Sequence, residues 1–245
     1  MNCDVVLVVP AYNEATRLDG AAFHAFLASD PKARLLFVDD GSTDGTRALL
    51  SALAAAEPQG RILVRELPVN MGKAEAVRTG LCQAADSGAA YIGFVDADLS
   101  APLDEVAALC DELDRFPETW AVLGSRVKLL GRDIDRSEGR HYLGRAFATC
   151  ASLALGLPVY DTQCGLKLFR NGAAIAAALD RPFASRWIFD VELVGRLATA
   201  AGADVARRIR EVPLERWHER GGSRLRLSDF VRAPLELWQI RRHRG

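Results

Sequence analysis

Five strand-sized runs rich in Val, Ile and Leu alternate with Ala/Leu-rich segments of helix length through the first half of the chain. They lie at Asp4 to Val9, Ala33 to Val38, Arg61 to Leu67, Tyr91 to Val95 and Trp120 to Gly124. Each is nearly continuous in apolar residues, as strands are when helices cover both faces of a parallel sheet. A βαβα order of this kind leaves few architectures open and predicts an α/β domain with a mostly parallel sheet flanked by helices. The segment from Ser100 reads as a helix start. Ser100 serves as cap, Pro102 suits the first turn, Asp104 and Glu105 favour the positive end, and Leu103, Val106, Leu109 or Cys110, and Leu113 form the buried stripe. No repeat of about 20 to 50 residues recurs and no linker divides the chain, so one domain with a less regular second half is expected.

The 245 residues suffice for a substantial core, and 49% hydrophobic with 26% charged residues exclude a disordered tail protein or a disulfide scaffold. No apolar stretch approaches the roughly 20 residues needed to cross a bilayer. The N-terminal residues lack the basic region, apolar run and cleavage site of a secretory signal, so a cytoplasmic protein is expected. Five scattered cysteines without a C-x-x-C pair predict reduced, mostly buried thiols. The net charge of −1 conceals an asymmetry, because residues 207–245 carry eleven Arg against five acids while the remainder is acidic. A basic tail on an acidic body fits an anionic surface or substrate near that tail, or simply a solvated face.

Polar residues concentrate where the predicted strands end: Pro10 to Glu14, Asp39 to Thr46, Asn70 to Lys73 and Asp96 to Ser100. In open parallel sheets that edge is where ligands bind. Asp96 and Asp98 of VDADLS follow a buried strand, and two carboxylates there repel each other unless a cation lies between or beside them. Mg²⁺ or Mn²⁺ bridging to a diphosphate meets that need, whereas a lone D-x-D would more simply cap a helix or face solvent. In VDDGSTDGT, Asp44 and Thr46 read as caps and turn residues. That leaves Asp39 and Asp40 as acceptors suited to a nucleobase imide or ribose hydroxyls, Asp40 being nearer the loop. No G-x-G-x-x-G or Walker-type phosphate loop is present.

VVPAYNE (Val8 to Glu14), VDDGSTDGT (Val38 to Thr46), NMGKAEAVRTG (Asn70 to Gly80) and VDADLS (Val95 to Ser100), in this order and spacing, resemble the inverting glycosyltransferases of family 2. That family has the Rossmann-like GT-A fold, which binds nucleotide-diphospho-sugars. GSR (Gly124 to Arg126), DTQCGLKLF (Asp161 to Phe169), RWIFDVELV (Arg186 to Val194) and VPLERWHERGGSRLRL (Val212 to Leu227) are similar to its polyprenyl-phosphate branch. The likeness is closer to the dolichyl-phosphate β-glucosyltransferases than to the mannose synthases, and it spans nearly the whole chain.

The resemblance implies a GT-A domain over residues 1–225, and the residue pattern marks 226–245 as a basic amphipathic tail. It implies that Pro10, Tyr12, Glu14, Val38 and Asp40 hold the nucleoside and that Lys73, Asp96 and Ala97 belong to the donor site. Asp96 and Asp98 would bind Mg²⁺ or Mn²⁺, Asp98 most firmly, with Ser100 as a neighbour. Arg126 and Arg224 would bind phosphate groups, Arg224 standing where a Lys is common and keeping the charge as a planar fork. The acceptor-phosphate Arg-x-x-x-Ser pair of the mannose synthases corresponds here to Arg140 and Gly144, so the serine contact is missing. Arg140 is then either an acceptor contact or a surface charge.

Asp190 and Glu192 read either as a general base or acceptor-site carboxylate, or as acids at a helix N-terminus. A phosphate monoester has a second pKa of about 6 and so needs little help losing a proton near pH 7, whereas a hydroxyl acceptor would need a base such as Asp190. Leu227, Phe230, Val231, Pro234, Leu235 and Trp238 fall on one helical face flanked by Arg226, Arg232, Arg241 and Arg242. That pattern suits a membrane interface, although an ordinary docked helix would share it and Pro234 should kink it. The expected partners are a nucleotide-sugar donor, favoured as UDP-glucose, a lipid-phosphate acceptor and a membrane surface, without nucleic acid. The alternatives are transfer to a hydroxyl acceptor, a haloacid-type phosphohydrolase and a non-catalytic nucleotide-sugar-binding scaffold. The phosphohydrolase would place its motif on the first strand, not the fourth.

Overall fold

The first strand, β1 (Val5–Ala11), sends Val5, Leu7 and Val9 to one face of a sheet and Val6 and Val8 to the other. The second, β2 (Arg34–Asp39), does the same with Leu35 and Phe37 against Leu36 and Val38. Strands apolar on both faces need cover on both, which fixes three layers. The computed structural model describes residues 3–135, 138–220 and 236–237, apart from the side chains at 138, 140 and 141. Further strands are β3 (Ile62–Glu66), β4 (Tyr91–Val95), β5 (Ala121–Ser125), β6 (Asp133–Asp135), β7 (Leu166–Arg170), β8 (Ile209–Pro213) and β9 (Arg216–His218). Seven of them form one sheet in the order β3-β2-β1-β4-β7-β5-β8, and β6 pairs with β9 separately.

Helices α1 (Gly20–Ser29), α2 (Thr46–Ala55) and α4 (Val106–Arg115) cover the first face, while α3 (Lys73–Ala85), α6 (Ala173–Leu179) and α7 (Phe189–Ala201) cover the second. A smaller cluster joins α5 (Glu138–Leu155) to α7 and to Leu123 of β5. Phe23 and Phe37 meet edge to face with centroids 4.9 Å apart, both fully buried. Each such side chain contributes about 1.5–3 kcal/mol of burial. Helix α3 lies so close to the sheet that a Cβ on Gly80 would come within 2.3 Å of Val8 Cγ1. Only glycine permits that approach, and it brings the N-terminus of α3 to the strand ends.

The five expected strands form within a residue or two of their predicted limits. Strand β7 is the principal departure, since it runs antiparallel between β4 and β5 and carries Lys167 at its second position. A charged residue inside a short run hides a strand from apolar periodicity. The Leu103 to Leu113 stripe is buried as expected, but Ser100 does not cap it. A 3₁₀ turn (Leu103–Glu105) precedes α4, and the Ser100 N–H donates to Asp98 Oδ1 at 2.9 Å instead.

The cysteine expectation is corrected. Cys3, before β1, and Cys110, on α4, are disulfide-bonded with Cα atoms 6.5 Å apart, leaving Cys82, Cys150 and Cys164 free. The two residues are 107 positions apart and meet only because α4 packs on the face beside β1, so local spacing carries no sign of the pair. Of the tail, Leu237 is buried against Leu123, Ile188 and Val191, and Glu236 accepts a hydrogen bond from Ser185 Oγ. At these two residues the tail is docked on the body. Arg224 and the proposed membrane stripe lie outside the described residues, as does the Arg140 side chain. Among the described residues no helix is long and apolar enough to cross a membrane.

Candidate active site

Strand β1 lies between β2 and β4, and the chain crosses from one side of it to the other between β3 and β4. The loops leaving β1 and β4 therefore diverge, the position where open α/β sheets bind ligands. A cleft of about 700 Å³ opens there. Pro10, Tyr12, Glu14, Asp40, Lys73, Asp96, Ala97, Asp98, Ser100, Arg126 and Asp190 all line it. Val38 does not: the β2 alternation turns its side chain toward α3, where it is fully buried.

The loops after β1 and β2 are stitched together. Asn13, at φ 51°, accepts from Thr43 N–H at 2.9 Å, while Glu14 N–H donates to Thr46 Oγ1 at 2.7 Å. Asp44 Oδ1 in turn accepts from the Thr46 N–H and hydroxyl. Asp44 and Thr46 thus serve structure as expected, but as a turn: the α2 cap is Gly45, with no side-chain capping bond. Asp40 has a second task beyond any ligand contact, since its two carboxylate oxygens accept from Met71 N–H at 2.7 Å and Gly72 N–H at 2.8 Å. It therefore orders the turn that starts α3. Burial raises its pKa above the ordinary carboxylate range, against the opposing effect of those two hydrogen bonds.

Asp96 is held from two sides. Lys73 Nζ, at the first position of α3, lies 2.6 Å from Oδ1, and the backbone of Gly165 presses against the carboxylate. The loop itself is strained: Leu99 adopts φ 52°, a left-handed conformation costing a bulky residue about 1–3 kcal/mol. Removal from water works against the Lys73 charge, but Asp96, Asp190 and Asp98 outweigh it and raise its pKa. Below this pair lies another. Lys167 Nζ, fully buried, is 2.6 Å from Asp190 Oδ1 and donates to the Cys164 carbonyl. Burial raises the Asp190 pKa, with Lys167 and Lys73 pulling the other way. Glu192 faces elsewhere, bound to Arg196 at 2.7 Å and to the Ala184 N–H.

Arg126 is locked to Asp161 through Nε at 2.6 Å, Nη2 at 2.8 Å and its own backbone N–H at 3.0 Å. Burial alone would drive the Asp161 carboxyl up, but the Arg126 charge and these hydrogen bonds hold it down to about 2. Trp217 of β9 covers the guanidinium, its centroid 5.4 Å away. Asp161, Gly165 and Lys167 lie within the DTQCGLKLF motif, where the sequence alone gives them no role. The signal available for Lys167 was a cation within an apolar run, which demands a buried partner. Arg17, Arg145 and Arg186 also line the cleft and were not singled out.

Asp96 and Asp98 offer hard oxygen donors in one loop, but among the described residues no group of three or more His, Cys, Asp or Glu is gathered. That donor set fits a Mg²⁺ or Mn²⁺ ion completed by substrate phosphate and water rather than an all-protein cage. A doubly covered sheet with such a cleft at its switch point is the architecture of the GT-A fold. The chain belongs to the family described as glycosyl transferase family 2, whose model matches residues 6–174.

Among its relatives, a dolichyl-phosphate beta-glucosyltransferase of Trichomonas vaginalis is 34% identical over 95% of this chain and 69% of its own length. The Saccharomyces cerevisiae enzyme of the same description is 31% identical over 96% of this chain and 73% of its own. A polyprenol monophosphomannose synthase of Mycolicibacterium smegmatis is 29% identical over 96% and 87%. The fold matches that of Mycobacterium tuberculosis glucosyl-3-phosphoglycerate synthase in complex with Mn²⁺, UDP-glucose and phosphoglyceric acid. The TM-score is 0.66 at 18% identity, covering 99% of this chain and 80% of that one.

Proposed function

We propose that this hexosyltransferase moves glucose from UDP-glucose to a polyprenyl phosphate, with inversion at the anomeric carbon in one in-line displacement. The observation that carries this reading is that Lys73, Arg126, Arg145 and Arg186 line the same cleft as Asp96 and Asp98. Such a site suits two phosphorylated substrates. The dolichyl-phosphate relatives favour a lipid acceptor, and the UDP-glucose-bound fold neighbour suits the donor. Tyr12, Glu14 and Asp40 border the nucleoside end. Asp96 and Asp98 would hold a Mg²⁺ or Mn²⁺ ion, which when bound supplies charge neutralisation for the leaving diphosphate. Lys73 adds positive charge beside the loop where negative charge grows on the leaving diphosphate, which lowers the barrier.

Asp190 decides between acceptors. A phosphate acceptor is already ionised and needs no base, and an Asp190 that spends Oδ1 on Lys167 and is 4% exposed suits a positioning role. Its upward-shifted pKa favours the second reading, a hydroxyl acceptor with Asp190 as general base. UDP release should be measured with UDP-glucose and either polyprenyl phosphate or the corresponding polyprenol. Release with the phosphate alone is expected. Release with the alcohol, abolished in Asp190→Asn, would establish the second reading. The basic tail remains the proposed membrane contact.

A further inference from the structure

Two cation–carboxylate pairs are stacked at the base of the cleft, and they differ in access. Lys167 and Asp190 have side chains 0% and 6% exposed, whereas Lys73 and Asp96 stand at 41% and 31%. The lower pair is closed in by β7 and α7, while the upper one opens into the cleft. Lys73 is also in an unexpected place for its charge. It begins α3, where the helix already carries a partial positive charge of about half a unit, so its own helix repels it. Asp96 at 2.6 Å, with Asp190 and Asp98 nearby, is what keeps it there. Its ammonium is a compact charge on a flexible stem, and unlike the Arg126 fork it can leave one oxygen for another without losing a bidentate geometry.

We propose that Lys73 is a built-in counter-cation that neutralises Asp96 while the site is empty and transfers to the diphosphate when a metal–nucleotide complex arrives. This rests on Asp96 and Asp98 being the ion- and diphosphate-binding loop. A divalent ion arriving alone must take Asp96 from Lys73 and leave two cations facing each other. A diphosphate arriving with it gives Lys73 a new anionic partner. Ion and nucleotide therefore bind with positive coupling, and Lys73 supplies part of that coupling by penalising the ion alone.

The test is Mn²⁺ binding to the full chain by calorimetry, with and without UDP, in wild type, Lys73→Met and Lys73→Arg. The wild type and Lys73→Arg are expected to bind Mn²⁺ alone weakly. Lys73→Met is expected to bind it at least about tenfold more tightly, a typical coupling magnitude, and to show a smaller enhancement by UDP. Its melting temperature should rise on adding Mn²⁺ without nucleotide, a second readout independent of turnover. Lys73→Met binding Mn²⁺ alone no more tightly than wild type would overturn the counter-cation role while leaving the metal loop intact. Wild-type UDP affinity that is the same with Mn²⁺ and with a chelator would overturn the metal loop itself, and the exchange with it.

Discussion

Gly165 lies so close to Asp96 that a Cβ on it would sit 2.2 Å from Oδ2 and 2.4 Å from Cγ of the carboxylate. The same two residues are joined through the backbone, the Asp96 N–H donating to the Gly165 carbonyl at 3.0 Å. The lead-in to β7 thus shapes the loop after β4 although the two are about seventy residues apart in sequence. Gly165→Ala should push the carboxylate out of position while sparing the core. Since misplacement of a reacting group by about 1 Å can cost 10²-fold in rate, kcat/KM should fall by that order with little change in melting temperature. Unchanged kinetics would show that the position of Asp96 is not critical.

Asp40→Ala should affect both folding and ligand binding. It removes the acceptor of two part-buried backbone N–H groups, at Met71 and Gly72, and losing hydrogen bonds to a charged acceptor costs about 1–3 kcal/mol. Urea unfolding should reveal that loss alongside weaker UDP binding in calorimetry. Weaker UDP binding at full stability would mean that Asp40 meets the nucleoside without ordering the α3 turn.

The Arg126 and Asp161 pair makes an acid-stability prediction. The folded Asp161 pKa of about 2 lies below the unfolded value of about 3.9, so its contribution is complete above pH 4. It is lost as pH falls through 2. Arg126→Met leaves a buried carboxylate without its charge partner and should cost about 3–5 kcal/mol at pH 7. The deficit should shrink as pH falls toward 2, where the pair no longer contributes in wild type. Urea titrations from pH 7 to 2 would measure it, and a pH-independent deficit would refute the assignment.

The tail separates into two expectations. Leu237→Ala should destabilise the body by about 2–5 kcal/mol, because the side chain is 5% exposed within the cluster of Leu123, Ile188 and Val191. Phe230→Ala with Trp238→Ala should instead reduce sedimentation with anionic vesicles at low salt and spare UDP affinity. A double mutant that binds vesicles as wild type does would leave the docked helix as the whole function of this segment.

The apolar runs, the four polar loops and the family resemblance were legible because each depends on residues near one another in the chain. A short run apolar on both faces sets a strand such as β1, and an Asp placed where a strand ends is carried to the sheet edge whatever lies beside it. Contacts between distant residues were not legible. Nothing local in GLKLF says that β7 inserts antiparallel between β4 and β5, that Gly165 meets Asp96, or that Lys167 finds Asp190. Cys3 with Cys110, Arg126 with Asp161, and Leu237 with the α7 cluster are of the same kind. Composition and spacing determine which strand-end loops border the cleft. Only the packing of elements far apart in sequence decides which charges neutralise one another there, because electrostatic pairing and close contact depend on distances that the chain order does not contain.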